Sequence, residues 1–173
     1  MNIFLVGYRG SGKTTVAAAL AQRLGWKWVD ADEELERKQN KTIKQIFADD
    51  GEAAFRDYEA AILSQIATGD QQIIALGGGV VLREANRNLL KERGKAVWLK
   101  APAEVLLERI NADATTAERR PNLTAQGGIA EIRTLLAQRE PLYAAVADLE
   151  VEARSPPADI ADTIVAELNL RPA

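Results

Sequence analysis

The chain has 173 residues, 47% of them hydrophobic, and its 22 basic and 25 acidic side chains give a net charge of −3. This length fits one domain that buries roughly two-thirds of its unfolded surface, and the lack of cysteine excludes a disulfide framework and a thiolate zinc site. The lack of histidine excludes Ser-His-Asp and Cys-His nucleophilic sites, and the charge balance does not favour nucleic acid as a partner.

The chain begins with an apolar run that leads into a glycine-rich loop. The run Asn2–Val6 predicts a buried strand, and Lys13–Leu24 predicts a helix with one apolar face. Between them, Gly7–Thr14 has the spacing G-x-x-x-x-G-K-[ST], which is typical of a phosphate-binding loop between a strand and a helix. The motif therefore stands in the context that it requires.

Each part of this loop has a chemical task. Gly7, Gly10 and Gly12 allow positive φ angles that bring backbone N–H groups close to a polyphosphate. The N-terminus of the following helix adds its positive end to the same anion. Lys13 can reach the β- and γ-phosphates, and the Thr14 hydroxyl can ligate Mg²⁺. The loop therefore predicts binding of a nucleotide together with Mg²⁺.

Two acidic residues follow the second predicted strand, Trp26–Asp30. Because the carboxyl ends of parallel strands share one edge of an open α/β sheet, Asp30 and Asp32 should emerge beside the phosphate loop. A helix is predicted to begin near Glu33, and an acid at this place can also simply cap it. We expect Asp32 to be functional, and for Asp30 a capping role and a supporting role in the site are both open.

The next segment places a carboxylate on an apolar helix face. Thr42–Phe47 predicts a short helix, and Glu52–Thr68 predicts a long helix on which Glu59 lies in the same stripe as Phe55. Arg56 is close enough in sequence to pair with Glu59. An ordinary surface ion pair and a functional pair both fit this spacing.

A glycine run stands in the middle of the chain. Gln72–Leu76 predicts a third strand that ends in Gly77–Gly79, and three glycines in succession favour a close approach between backbone and ligand. A helix at Arg83–Arg93, a strand at Lys95–Leu99 and a helix from Pro102 to about Asn111 are predicted to follow.

The apolar periodicity is lost from Ala112 to Gly128, which predicts a long loop of the kind that forms lids. Arg119 and Arg120 in this loop are candidates for a cation that closes over a transferring phosphate. The helix after the loop is predicted at Ile129–Glu140, ended by Pro141.

The chain ends with a predicted strand, Leu149–Glu152, and a predicted helix, Ala158–Leu168. Five strand-helix units predict an α/β fold in which helices cover both faces of a parallel sheet. The phosphate loop, the acids and the lid arginines together predict phosphoryl transfer from a Mg-nucleotide to a second small ligand. No apolar run approaches the roughly 18 to 20 residues of a membrane span, and no signal-peptide pattern is present, so we expect a cytoplasmic protein without membrane contact.

Several motifs together give the chain a family resemblance. They are Gly7–Thr14, Asp30-Ala31-Asp32, Ile46-Phe47, Asp50–Glu59, Gly77–Gly79, Arg120-Pro121 and Arg139–Tyr143. In this order they resemble the shikimate kinase family from about Asn2 to Leu168. The resemblance implies a nucleoside monophosphate kinase-like P-loop NTPase fold, with three α/β/α layers around a five-stranded parallel sheet of order 2-3-1-4-5.

The resemblance also implies an activity. The ATP γ-phosphate would be transferred to the 3-hydroxyl of shikimate, giving shikimate 3-phosphate and ADP in aromatic amino acid biosynthesis. Mg²⁺ would accompany ATP, and the partners of a monomeric enzyme would be ATP and shikimate. Residues 1–173 would form a single kinase domain, with a substrate-binding segment at about 31–60 and a lid at about 112–126.

Position by position, the resemblance implies roles for single residues. The catalytic residues would be Lys13, Asp32 and Arg120. Nucleotide binding would fall to Gly10, Ser11, Gly12, Lys13, Thr14, Thr15, Arg109, Arg120 and Arg154, with Thr14 as the metal ligand. Shikimate would contact Asp32, Arg56, Gly78, Gly79 and Arg139, while Asp30 would support the metal through water and Glu59 would hold Arg56 in place.

Some alternatives are left open by the sequence. Because Arg119 stands beside Arg120, either side chain could be the one that enters the site. A gluconate kinase, or another small-molecule P-loop kinase of the same fold, would share the phosphate loop. A nucleotide-binding switch without turnover would share it as well, but Asp32, Arg56 and Gly78 argue for an acceptor site and hence for a kinase.

Overall fold

The computed structural model of the chain describes residues 1–113, 124 and 127–173. Most of the expected lid, including Arg119 and Arg120, lies outside these residues. The strands are β1 (Asn2–Val6), β2 (Lys27–Asp30), β3 (Gln72–Ala75), β4 (Gly94–Lys100) and β5 (Leu149–Glu152). The helices in the described part are α1 (Lys13–Leu24), α2 (Ala31–Gln39), α3 (Ile43–Asp49), α4 (Gly51–Ile66), α5 (Glu84–Arg93), α6 (Ala103–Ala112), α7 (Gly128–Val146) and α8 (Pro157–Glu167). None of these described helices is both long and apolar enough to cross a lipid bilayer.

The five strands form one parallel sheet in the order β2-β3-β1-β4-β5, which confirms the expected topology. β1 lies in the centre and is buried along its whole length. Burial of both faces explains why its sequence is an almost continuous apolar run rather than an alternating one. Because all strands are parallel, the loops that follow β1, β2 and β3 meet at one edge of the sheet.

The core consists of two clusters of buried side chains, one on each face of the sheet. Ile3 and Leu5 of β1 pack in the cluster that contains the apolar faces of α1 and α8. Phe4 and Val6 pack in the other cluster, together with side chains of α4 and α7. Helices therefore cover both faces, and the three-layer α/β/α fold class is confirmed.

The predicted C-terminal end of one helix, α7, is wrong. α7 runs through Pro141 to Val146, so the prediction that this helix stops at Glu140 does not hold. A proline inside a helix costs about 3 kcal/mol locally. However, Tyr143 and Val146 lie beyond the proline and are buried, and burial of each large side chain contributes roughly 1.5–3 kcal/mol. Tertiary packing therefore outweighs the local penalty, while the other predicted elements agree with the structure to within two residues.

Candidate active site

The phosphate loop has the backbone conformation that its glycines predict. Gly7, Gly10 and Gly12 have φ angles of 144°, 85° and 89°, a region that other residues rarely adopt. At Gly7 a Cβ atom would also come within 2.6 Å of the Leu99 carbonyl oxygen at the end of β4. Glycine is therefore required at this position both for its conformation and for the close approach of the neighbouring strand.

The side chain of Lys13 forms hydrogen bonds with the backbone of the phosphate loop. Its Nζ donates hydrogen bonds to the carbonyl oxygens of Gly7 and Tyr8, each at 2.9 Å. α1 begins at Lys13, and no side chain caps the helix at Gly12. The backbone N–H groups at the start of the helix, with the positive end of the helix dipole, are suited to bind an anion.

A hydroxyl and a carboxylate lie together beside this anion site. Thr14 donates its hydroxyl hydrogen to Asp30 Oδ2 at 2.6 Å. The other oxygen of Asp30, Oδ1, accepts from the backbone N–H groups of Asp32 and Glu33, so Asp30 both caps α2 and faces Thr14. Such oxygen donors fit Mg²⁺, which prefers hard ligands and keeps several waters. The described residues contain no cluster of three acids that could cage a metal, so phosphate and water oxygens would supply most of its coordination.

A cavity opens around the phosphate loop and contains most of the expected nucleotide-binding residues. It is lined by the loop positions Gly10, Gly12, Lys13, Thr14 and Thr15, by Asp30 and Asp32, and by Arg109. Ser11 is buried beneath the loop, where its carbonyl oxygen accepts from Arg109 Nη1 at 3.4 Å. Arg154 is exposed and pairs with Glu152 at 3.5 Å instead of lining this cavity. The structure therefore brings the expected nucleotide residues together except for Arg154, and for Arg120, which is not described.

A second cavity adjoins the first and contains the expected acceptor residues. Its lining consists of Tyr8, Arg9, Asp32, Ile43, Phe47, Phe55, Arg56, Glu59, Gly77, Gly78, Gly79 and Arg139. All five predicted acceptor contacts are in this set. The aromatic and aliphatic members, which the sequence alone marked only as core residues or motif positions, give the cavity an apolar wall beside its charged groups.

Arg56 and Glu59 form a buried ion pair rather than a surface pair. Nη1 of Arg56 lies 2.8 Å from Glu59 Oε1, and the two residues are only 9% and 6% exposed. Burial raises the pKa of the Glu59 carboxyl, although the positive charge of Arg56 opposes the rise. A Cβ atom at Gly79 would overlap the Arg56 guanidinium. The room that glycine leaves at this position is thus taken up by an arginine side chain.

Arg139, on α7, also approaches the glycine run. Its guanidinium lies over the ring of Tyr8 at 5.7 Å, and its Nη1 is 3.5 Å from the place that a Cβ atom of Gly78 would occupy. Two buried arginines from different helices, α4 and α7, therefore converge on Gly78 and Gly79. Paired guanidinium groups of this kind suit a carboxylate ligand, which they bind with two parallel hydrogen bonds.

Three residues line both cavities and mark the boundary between them: Arg9, Asp32 and Ile43. Arg9 is a functional candidate that the motif analysis missed, because the positions between the glycines of the loop were treated as unspecified. Its signal was a cation directly beside Gly10. The boundary therefore carries one carboxylate and one guanidinium group. A group that passes from one cavity to the other would cross at this place.

Comparisons with known proteins agree with this geometry. The model of the shikimate kinase family matches residues 9–169. A shikimate kinase of Rhodopirellula baltica is 48% identical over 151 residues, which is 87% of this chain and 81% of that protein. The structure of the Acinetobacter baumannii shikimate kinase in complex with shikimate superposes with a TM-score of 0.91 at 38% identity, over 97% of this chain and 92% of the other.

A gluconokinase from Sinorhizobium meliloti is more distant. It has a TM-score of 0.57 and 19% identity over 97% of this chain and 91% of the other, so this likeness shows the fold alone. The family model, by contrast, covers nearly the whole sequence. The chain therefore belongs to the shikimate kinase family of ATP-dependent kinases.

Proposed function

We propose that this shikimate kinase binds Mg-ATP in the cavity of the phosphate loop and shikimate in the adjoining cavity, and transfers the γ-phosphoryl group to the 3-hydroxyl of shikimate. One observation carries the assignment of the second cavity: Arg56 and Arg139 are buried and converge on the same glycine run. Shikimate has a single carboxylate, and two guanidinium groups can hold it in one orientation.

The donor side acts by binding and by stabilising charge. The N–H groups of Gly10, Ser11, Gly12 and Thr15, with Lys13, hold the phosphates, and Arg109 ties the loop to the end of β5 through the Ala153 carbonyl oxygen at 2.6 Å. Thr14 would ligate Mg²⁺, and Asp30 would support it through water. When bound, the ion would supply positive charge against the charge that develops on the phosphates. Arg154 has no contact with this cavity that would support a role in it.

The acceptor side orients one hydroxyl. Asp32 at the boundary accepts the hydrogen of the 3-hydroxyl and takes its proton as the new P–O bond forms and the bond to ADP breaks. Ile43, Phe47 and Phe55 contact the ring of the acceptor and exclude water from the transferring phosphoryl group. Glu59 keeps Arg56 in the orientation that its carboxylate ligand requires.

Cations at the boundary stabilise the moving phosphoryl group. Arg9 is the described cation that lines both cavities, so we assign its guanidinium to the equatorial oxygens of that group. The lid, at about 112–126, adds Arg119 or Arg120 as a second cation, and single substitutions of the two decide between them.

The same roles define the proposed domain organisation. Residues 1–173 form one kinase domain, in which the segment at about 31–60 binds the acceptor.

The proposed reaction implies the partners of the protein. ATP and shikimate bind together on one chain, and both cavities are lined by residues of that chain, so we infer that a monomer is the active unit. The need for ATP as a co-substrate places the enzyme in the cytoplasm, where ATP is regenerated. Neither cavity requires nucleic acid or a membrane for the reaction.

The function is tested by measuring ADP production with shikimate and with gluconate side by side. Turnover with shikimate, and none with gluconate, is the expected result. The methyl ester of shikimate should bind poorly, because it lacks the carboxylate charge that the two arginines pair with. Turnover with gluconate alone would overturn the acceptor assignment, and ATP binding without any product would favour a nucleotide-binding switch.

A further inference from the structure

A buried tyrosine on α7 holds the glycine run in the middle of the acceptor cavity. The hydroxyl of Tyr143 donates a hydrogen bond to the carbonyl oxygen of Gly78 at 2.5 Å, across 65 residues of sequence. Tyr143 is completely buried, and burial raises the pKa of its hydroxyl. The raised pKa keeps this hydroxyl protonated at neutral pH, so the group is a neutral hydrogen-bond donor there.

The same helix carries one of the two acceptor arginines. Arg139 lies one helical turn before Tyr143, and residues spaced by four share one face of a helix. Both residues reach the glycine run, Tyr143 through its hydrogen bond and Arg139 by its approach to within 3.5 Å of the Cβ position of Gly78. The hydrogen bond therefore fixes the glycine run at a set distance from Arg139.

The geometry of the peptide bond extends this effect to Gly79. The carbonyl group of Gly78 and the N–H group of Gly79 belong to one planar trans peptide unit, so they point in opposite directions. When Tyr143 holds the carbonyl oxygen toward the core, the N–H of Gly79 faces the other way, and Gly79 lines the acceptor cavity. Among the described residues, no backbone carbonyl accepts from the N–H groups of Gly78 or Gly79.

We propose that Tyr143 is a positioning residue, which fixes the Gly78-Gly79 peptide so that the Gly79 N–H is ready to donate to the bound acceptor. This inference rests on the proposed function. A glycine peptide has no side chain to restrict its rotation, so without the tyrosine hydroxyl the N–H would sample many directions. Loss of this pre-organisation weakens binding of the acceptor and leaves the phosphate loop intact.

The substitution Tyr143→Phe removes the hydroxyl and keeps the ring, which packs against Trp98 with centroids 5.7 Å apart. A matched control is Thr163→Val, which removes a hydroxyl on α8 that donates to the Asp159 carbonyl oxygen at 2.9 Å and lines neither of the two cavities. Each variant is purified as the full chain, and the KM for shikimate, the KM for ATP and the thermal midpoint are measured. Tryptophan fluorescence, to which Trp98 contributes together with Trp26 and Trp28, shows whether the ring packing around residue 143 is kept.

We expect Tyr143→Phe to raise the KM for shikimate about tenfold, equivalent to about 1.4 kcal/mol, and to leave the KM for ATP within about twofold. Thr163→Val should leave both constants unchanged. A KM for shikimate equal to that of the wild type would overturn the proposal, as would a rise of both constants in step with a lower thermal midpoint. If the wild type itself failed to phosphorylate shikimate, the proposed function would fail instead, so the two failures are distinguishable.

Discussion

Among single residues, Lys13 closes the loop by donating to the carbonyl oxygens of Gly7 and Tyr8, and we propose that it also contacts the β- and γ-phosphates. We expect Lys13→Ala to lower kcat at least a hundredfold, because a cation aimed at the transferring group is lost. The fold should survive, with an unchanged far-UV circular dichroism spectrum. Lys91→Ala, an exposed change on α5, is the control and should have normal turnover. Near-normal turnover of Lys13→Ala would mean that the lysine takes no part in catalysis.

Arg56 is tested by a change that keeps its charge. Arg56→Lys preserves an ion pair with Glu59 but loses the planar fork that binds a carboxylate with two hydrogen bonds. The KM for shikimate should therefore rise at least about tenfold, while the KM for ATP stays close to its normal value. Arg23→Lys is a matched control, because Arg23 forms a two-point contact with Asp162 on the surface. Equal effects on both KM values would contradict the assigned clamp.

The buried carboxyl of Glu59 leads to a prediction of how the stability of the protein depends on pH. Burial holds the pKa of its carboxyl above the ordinary value of 4.5, so at pH values just above 4.5 the folded chain keeps a proton that the unfolded chain has lost. Stability contributed by this group therefore falls as pH rises through the folded pKa. The wild type should lose stability relative to Glu59→Gln, which does not titrate, as the pH rises above about 4.5. Urea unfolding of both proteins across this range measures the difference, and an opposite slope would show that attraction by Arg56 lowers the pKa instead.

At the scale of helices and strands, local sequence predicted most of the fold, because the apolar patterns and the turn residues of each segment indicate the same element. The continuous apolar run of β1 indicated a buried strand, and α1 ends at Leu24 as predicted, followed by Gly25 with a left-handed φ of 68°. The end of α7 could not be read from Pro141, because it depends on Tyr143 and its contact with Gly78 far away in sequence. Contacts of this kind are invisible to any local pattern.

The start of α3 allows a prediction of how much a helix cap contributes to the stability of the protein. Thr42 and Gln45 form a reciprocal capping box at its start, with Gln45 N–H donating to Thr42 Oγ1 at 3.1 Å and Thr42 N–H donating to Gln45 Oε1 at 2.8 Å. Thr42→Ala should destabilise the protein by about 1 kcal/mol, which lowers the thermal midpoint by roughly 2–4 °C for a chain of this size. Thr42→Ser keeps an oxygen at the cap and should remain close to the wild type. Equal midpoints for all three proteins would mean that the cap does not stabilise α3.

For the whole molecule, the sequence predicted which residues form the site better than it predicted their arrangement. Asp32, Arg56 and Arg139 could be named from motifs, and the structure brings them into one cavity. The place of Arg9 at the boundary could not be predicted, because the boundary arises only where the phosphate loop lies near α2 and α3. The glycine run was expected to approach a ligand, but part of its room is occupied by Arg56, whose position depends on the packing of α4.

The arrangement of the core predicts how the whole chain unfolds. Successive residues of β1 point to opposite faces of the sheet, so this strand contributes to both core clusters and neither cluster can be lost alone without exposing it. We expect one cooperative transition in urea, with tryptophan fluorescence and far-UV circular dichroism giving the same midpoint. Shikimate present at a hundred times its Kd should add about 2.7 kcal/mol to the free energy of unfolding, because it binds the folded chain alone. Separate midpoints would show that the segment at about 31–60 unfolds apart from the sheet, and residues 1–173 would then comprise two units rather than the single domain proposed above.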